Sequence, residues 1–147
     1  MMIGAVIAPC EKPLWAGEIL LQIQRTARAL ARRFDSELRP LGLTNGQFII
    51  LMFLNRHEDS GITDLASSLA IDRTTLTAAL KTLERRGFVK ITNNPSDHRV
   101  RRMRLTSRGR ALIMTSVPVW KRANLEIESR LAGIDLDSFR QILQALS

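Results

Sequence analysis

Residues 62–105 read ITDLASSLAIDRTTLTAALKTLERRGFVKITNNPSDHRVRRMRL, and their pattern decides the fold. Leu65, Ala66 and Leu69 give a short helix an inward face, and small Ala66 lets a second helix cross closely. Ala70-Ile71 turns the chain. Asp72 then stands where a helix cap is wanted, because its carboxylate can accept from an unpaired first-turn N–H. In the helix that follows, Leu76, Leu80 and Leu83 recur at i, i+4 and i+7 and face a core. Gly87 suits a left-handed helix end. Phe88–Thr92 and Val100–Leu105 read as short strands, the second alternating Arg101, Met103 and Leu105 with Arg102 and Arg104. Asn93 to Arg99 between them reads as a turn-rich tip. The expected fold class is mostly α with a small β-wing: a winged helix-turn-helix flanked by N- and C-terminal dimerisation helices.

Charge singles out the same stretch. Residues 71–110 hold eleven Lys/Arg and three Asp/Glu, whereas residues 1–70 hold seven of each and residues 111–147 four of each. The whole formal charge of +8 therefore sits in one segment. A solvated charged face competes with a polyanion-binding surface here. The second reading is favoured, because the charge coincides with a helix of groove-filling size. Away from its leucines that helix carries Arg73, Thr74, Thr75, Thr77, Lys81, Thr82 and Arg85. Threonine is a poor helix former, and an ordinary wet face would favour Glu, Lys or Gln. Short hydroxyls flanked by cations fit a DNA major groove, where threonine meets phosphate or a thymine methyl and arginine reads guanine. An arginine at the wing tip fits the narrow, electronegative minor groove.

The flanks read as helical arms. From Leu14 to Leu41, Ile19, Ile23, Ala27, Leu30, Phe34, Leu38 and Leu41 keep one apolar stripe for about six turns, with Pro13 suiting its start and Pro40-x-Gly42 its end. Leu14, Trp15 and Ile19 read as part of a dimer arm; a hydrophobic cap on the monomer core is the alternative. Thr44-Asn45-Gly46-Gln47 is a capping box, opening a helix over about 45–57 that is apolar nearly all round and so expected to be central. His57 to Gly61 is expected to be a polar turn, with His57 on the surface. Thr106 is expected to cap a helix running to about Leu131, kinked at Pro118. Asp135 is expected to cap a last helix whose Phe139, Ile142, Leu143 and Leu146 form one apolar stripe, the natural partner of the first arm. The division is thus 1–12 as a tail, 13–43 and 106–147 as a helical dimerisation region, and 44–105 as the winged unit.

The sequence also argues against other classes. One cysteine, Cys10, makes no internal disulfide, and Pro9 stands where a lipoprotein site wants a small residue. Nothing approaches the roughly 20 apolar residues of a membrane span, so a cytoplasmic protein is expected. There is no phosphate loop, no HExxH and no paired metal ligands. No enzyme, cofactor or metal is expected.

The run LASSLAIDRTTLTAALKTLERRGFVK followed by DHRVRRMRLTSRGR resembles the MarR (multiple antibiotic resistance regulator) family of winged-helix transcription factors. The resemblance rests on Leu65-Ala66, Leu83-Glu84-Arg85-Arg86-Gly87-Phe88-Val89, Asp97-x-Arg99 and Leu105-Thr106-x-x-Gly109, and is strongest over about 44–110. It implies a homodimer with intertwined terminal helices, bound to pseudo-palindromic promoter double-stranded DNA. It places the helix 72–86 in the major groove and Arg99 in the minor groove, with Asp97 orienting the wing arginines, Arg101 among them. It implies a repressor released by a small aromatic or lipophilic ligand, for which Phe34, Phe48, Met52 and Met114 are the candidate pocket residues. Ala78 departs from the family pattern, since many members carry a basic residue there. The chain has no tyrosine and its Cys10 precedes the first helix, which weakens the redox-responsive alternative. A non-specific or architectural nucleic-acid binder is the other alternative.

Overall fold

The structure, a computed structural model, describes residues 18–147 and, at 98–100, the backbone alone. The tail 1–12 with Cys10, and the arm residues Leu14 and Trp15, lie outside the described residues. The elements follow as α1 (Ile19–Leu38), a 3-10 turn (Arg39–Leu41), α2 (Asn45–Arg56), β1 (Ser60–Gly61), α3 (Ile62–Leu69), α4 (Arg73–Arg85), β2 (Val89–Asn94), β3 (Asp97–Leu105), α5 (Ser107–Ser129) and α6 (Leu136–Ala145). This is the mostly helical winged-helix architecture read from the sequence.

Local chemistry sets the helix ends. α1 stops at Leu38, short of the expected Leu41, where the chain tightens through Pro40 into the 3-10 turn and reverses at Gly42, φ +69°. The capping box forms as expected: the Gln47 amide donates to Thr44 Oγ1 and the Thr44 amide to Gln47 Oε1, each at 3.2 Å. Asn45 also donates its amide to Asp35 Oδ1 at 2.6 Å, tying the start of α2 to α1. Asp72 caps α4 through the Thr75 amide at 2.8 Å. Thr106 caps α5 through the Gly109 amide at 3.0 Å and donates its own hydroxyl to the Gly87 carbonyl at 2.7 Å.

The core sits between α2, α3, α4 and the sheet. Leu51, Leu54, Leu65, Leu76 and Leu83 are wholly buried, and Val89, Met103 and Leu105 close the sheet side. α2 is central, but not buried all round: Ile49, Met52 and Phe53 open onto a cavity. Gly109 brings α5 so close to the α4–β2 junction that a Cβ there would overlap the Phe88 carbonyl oxygen.

The wing departs from the sequence reading in two ways. The sheet has three strands, ordered β1-β3-β2. The stretch expected to be only a polar turn includes β1, which pairs Ser60 with Met103 and Gly61 with Arg102. Two residues carry no periodicity, so a strand held by a distant partner leaves no local signal. Second, the strands reach further than 88–92 and 100–105, leaving only Pro95-Ser96 to turn the chain. The register runs from Val89↔Leu105 to Asn93↔Arg101 and then jumps to Asn94↔Asp97. Residues 98–100 are the excess on β3, a bulge of the kind that bends and twists a hairpin.

α5 runs on through Pro118 and ends at Ser129. It lies along α1, joined by Arg33–Glu126, by Arg122–Glu37 at 3.6 Å and by Phe34 stacked on Trp120 at 6.0 Å. Asp135 caps α6 as expected, accepting from the Asp137 amide at 3.2 Å and the Ser138 hydroxyl at 2.6 Å. These bonds hold its carboxyl below the usual carboxylate range. No helix of the described residues is long and apolar enough to cross a membrane.

Candidate nucleic-acid interface

The leucines that bury one side of α4 fix what its other side presents. With Leu76, Leu80 and Leu83 turned to the core, Thr74, Ala78, Lys81 and Arg85 recur at i, i+4, i+7 and i+11 along the opposite crest, all exposed. Arg73, Thr74, Thr77, Ala78 and Lys81 line a shallow groove on this face. Thr75 and Thr82 stand to the other flank. Several threonine hydroxyls are already in use. Thr75 donates to Asp72 Oδ2 at 2.6 Å, Thr77 to the Arg73 carbonyl at 2.6 Å and Thr82 to the Ala78 carbonyl at 3.1 Å. The sequence reading let these threonines meet either phosphate or a thymine methyl; here the protons of Thr75, Thr77 and Thr82 are bonded within the helix and its cap. The Thr75 hydroxyl and amide bonds also lower the Asp72 pKa.

The basic block divides into two groups. Behind the face, arginines are built into the scaffold. Arg86 donates to the Gly42 carbonyl at 2.7 Å, and its guanidinium lies 4.9 Å from the Phe88 ring. Arg108 approaches the same ring at 5.1 Å. Arg102 donates to the Asp59 carbonyl at 2.7 Å, Arg104 grips the Asp59 carboxylate with both forks, and Arg110 pairs with Glu58. Asp59 takes the left-handed conformation, φ +59°, which aspartate tolerates, so its carbonyl and carboxylate both serve β3. The Arg104 hydrogen bond holds the Asp59 carboxyl below its ordinary range. Arg73, Lys81, Arg85, Lys90 and Arg101 make no ion pair among the described residues. The free charge thus lies along α4 and the wing strands.

Arg101 lines a small cleft between β3 and α4 with Thr77, Lys81 and Glu84. Glu84, which the sequence reading named within the family motif but gave no role, accepts from the Ile91 amide at 3.2 Å and locks α4 to the wing. Asp97 is exposed at the start of β3. Arg99 falls within the bulge three residues past the turn rather than in an open tip; its side chain is outside the described residues.

A cavity of about 290 Å³ lies where α2 meets α5. Phe48, Met52, Phe53 and Trp120 line it, with Arg56 and His57 as polar groups. Of the four pocket candidates, Phe48 and Met52 belong here. Phe34 stands behind Trp120 in the core. Met114 is 77% exposed on α5, a correction to its placement: helical spacing alone did not show which side of α5 faces inward. Trp120 has no nearby sequence signal linking it to α2. His57 is on the surface as expected, against the Phe53 ring at 4.6 Å.

At the other end, α1, the end of α5 and α6 enclose an open apolar groove of about 740 Å³ that includes Ile23, Leu30, Leu131, Phe139 and Leu143. Ile19, Ile142 and Leu146 lie outside it and face solvent. Among the described residues no three His, Cys, Asp or Glu are grouped to hold a metal ion.

The comparisons with known proteins agree with this architecture. The MarR family model matches residues 43–100. The HTH-type transcriptional regulator BilQ of Clostridioides difficile is 28% identical over 76 residues, so the chain spans about half of that protein's length (52% of this chain, 51% of that one). The uncharacterized HTH-type transcriptional regulator YdgJ of Bacillus subtilis is 30% identical over 125 residues, covering 81% of this chain and 74% of that one. Among solved structures, the M. tuberculosis transcriptional regulator MosR in complex with DNA superposes with a TM-score of 0.77 at 33% identity, covering 87% of this chain and 92% of that one.

Proposed function

This chain belongs to the MarR family, and on that premise we propose that it is a sequence-specific transcriptional regulator that binds promoter DNA as a homodimer. The observation that carries the reading is the sorting of the basic block. Arginines behind the face are tied to the scaffold, while Arg73, Lys81 and Arg85 on α4 make no ion pair among the described residues. α4 enters the major groove with Arg73, Thr74, Thr77, Lys81 and Arg85 toward the DNA. Thr75 and Thr82 support from the flanks, and the wing carries Arg99 to the minor groove with Asp97 and Arg101 beside it. In this reading 44–105 is the DNA-binding unit, and 13–43 with 106–147 the dimerisation region. The exposed apolar faces of α1 and α6 support that division. Dimerisation sets two α4 helices about one DNA turn apart, roughly 34 Å, on a pseudo-palindrome. Its place of work is the cytoplasm, where the DNA is, and no reaction is assigned to it.

The reading extends to ligand control. The cavity beside Trp120 suits a small aromatic or lipophilic molecule, and a repressor releases DNA when its ligand prefers the conformation with the wrong helix spacing.

The test is a fluorescence-anisotropy titration of the protein with DNA from upstream of its own gene and with a scrambled duplex, at equal salt. A preference of about a hundredfold or more supports a specific regulator. Equal binding to these and to duplexes selected from random DNA makes it a non-specific or architectural binder. Arg99→Ala is expected to weaken binding to both duplexes and to flatten the salt dependence. Unchanged affinity removes the wing from the interface.

A further inference from the structure

The middle of the α4 crest is apolar. Ala78 is exposed between Thr74 and Lys81, where a longer side chain would ordinarily reach out. Its surroundings deepen the apolar character. The Thr77 hydroxyl is turned back onto the Arg73 carbonyl at 2.6 Å, and the Thr82 hydroxyl onto the carbonyl of Ala78 itself at 3.1 Å. A threonine bonded back along its own helix has its proton committed and leaves its methyl as the group to be met from outside. The groove at Ala78 is therefore a shallow recess of small side chains, with Arg73 and Lys81 both on its wall.

Those cations draw the recess onto nucleic acid, while Ala78 itself offers no hydrogen-bonding group to the base opposite it. In the major groove every base edge offers hydrogen-bonding groups, and the C5-methyl of thymine is the apolar group among them. We infer that Ala78, with the methyl group of Thr77 beside it, is a specificity-determining contact that receives the C5-methyl of one thymine in each half-site. Cytosine and the purines present a bare edge or a polar group there, with nothing for Ala78 to bury. The inference rests on the DNA-binding reading above.

The experiment begins with the operator, obtained by selecting duplexes from a random pool with the full-length protein. Each thymine is then replaced singly by deoxyuridine, which removes the methyl group and keeps every hydrogen-bonding group. One symmetry-related thymine pair is expected to lose about fourfold in affinity per half-site, the worth of one buried methyl group. In Ala78→Ser and Ala78→Gly the difference between the thymine and deoxyuridine versions of that position is expected to shrink. An operator whose every thymine tolerates the exchange overturns the inference and leaves the DNA-binding reading standing. So does an effect of the same size in wild type and both variants. A selection that enriches no sequence overturns the specific-regulator reading itself, and this inference with it.

Discussion

The winged lobe and the terminal helices use the same kind of amphipathic segment, yet their apolar faces meet different fates. In the lobe, Leu76, Leu80 and Leu83 of α4 are covered by α2, α3 and the sheet of the same chain. On the terminal helices, Ile19 is 72% exposed, and Ile142 and Leu146 are 59% and 64% exposed, although α6 is as cleanly striped as α4. A hydrophobic period states that a face needs cover. It does not state which molecule supplies the cover. The lobe closes on itself, whereas the arm exposes an apolar area of the kind that marks an interaction surface.

The largest test of that contrast strikes inside the lobe. Gly109→Ala places a methyl group on the Phe88 carbonyl, which backbone on both sides prevents from yielding. A net loss of about 3 kcal/mol is expected even after the gain in helix propensity, the same at every protein concentration, in denaturant unfolding monitored by circular dichroism. An unfolding midpoint equal to wild type would mean that α5 is not docked there. Leu143→Asp strikes the arm instead. It should leave the lobe folded and weaken self-association tenfold or more, about 1.4 kcal/mol, in sedimentation equilibrium. An unaltered association constant would take α6 out of the interface and dissolve the contrast.

Asp59→Asn sharpens the comparison within the lobe, where the wing is attached by charge as well as by packing. Asparagine keeps the left-handed turn and loses the ion pair with Arg104. The folded Asp59 pKa lies below its ordinary value, so the contribution of the ion pair is present above the ordinary carboxylate range and lost as pH falls through the folded value. The thermal midpoints of wild type and variant should differ modestly and constantly near neutral pH and converge in acid. A gap that persists at the acid end would assign the effect to something other than charge. The smallest effect has the opposite sign. Ala70 sits at φ +49° between α3 and α4, and Ala70→Gly should raise stability by about 0.5 kcal/mol. A loss of stability would mean that the alanine methyl is worth more than the strain it bears.

What could be read in advance follows from the range of the forces. Thr44, Asp72, Thr106 and Asp135 were legible as caps, since each bonds an amide two or three residues along. The buried side of α4 was legible because one helix period contains it. β1 was not, because Ser60 finds Met103 only once the chain has folded. Nor was the Asp59–Arg104 pair, 45 residues apart, or the meeting of Phe48 with Trp120. In the candidate site, the cations and threonines were visible as types and spacings. Which arginines stay unpaired, and where the hydroxyl protons go, are decided by partners that no local pattern names.

Pro118 gives the long helix α5 a division of labour. Having no amide hydrogen, it leaves the Met114 carbonyl without its usual helical donor, at a point where Met114 itself meets water. The first part of α5 is anchored to the lobe through Thr106 and Gly109, and the later part to α1 through Arg122 and Glu126. Trp120, two residues past Pro118, packs on both Phe34 of α1 and Phe48 of α2, so the opened carbonyl lies on the wet side of a helix whose other side is held by lobe and arm together.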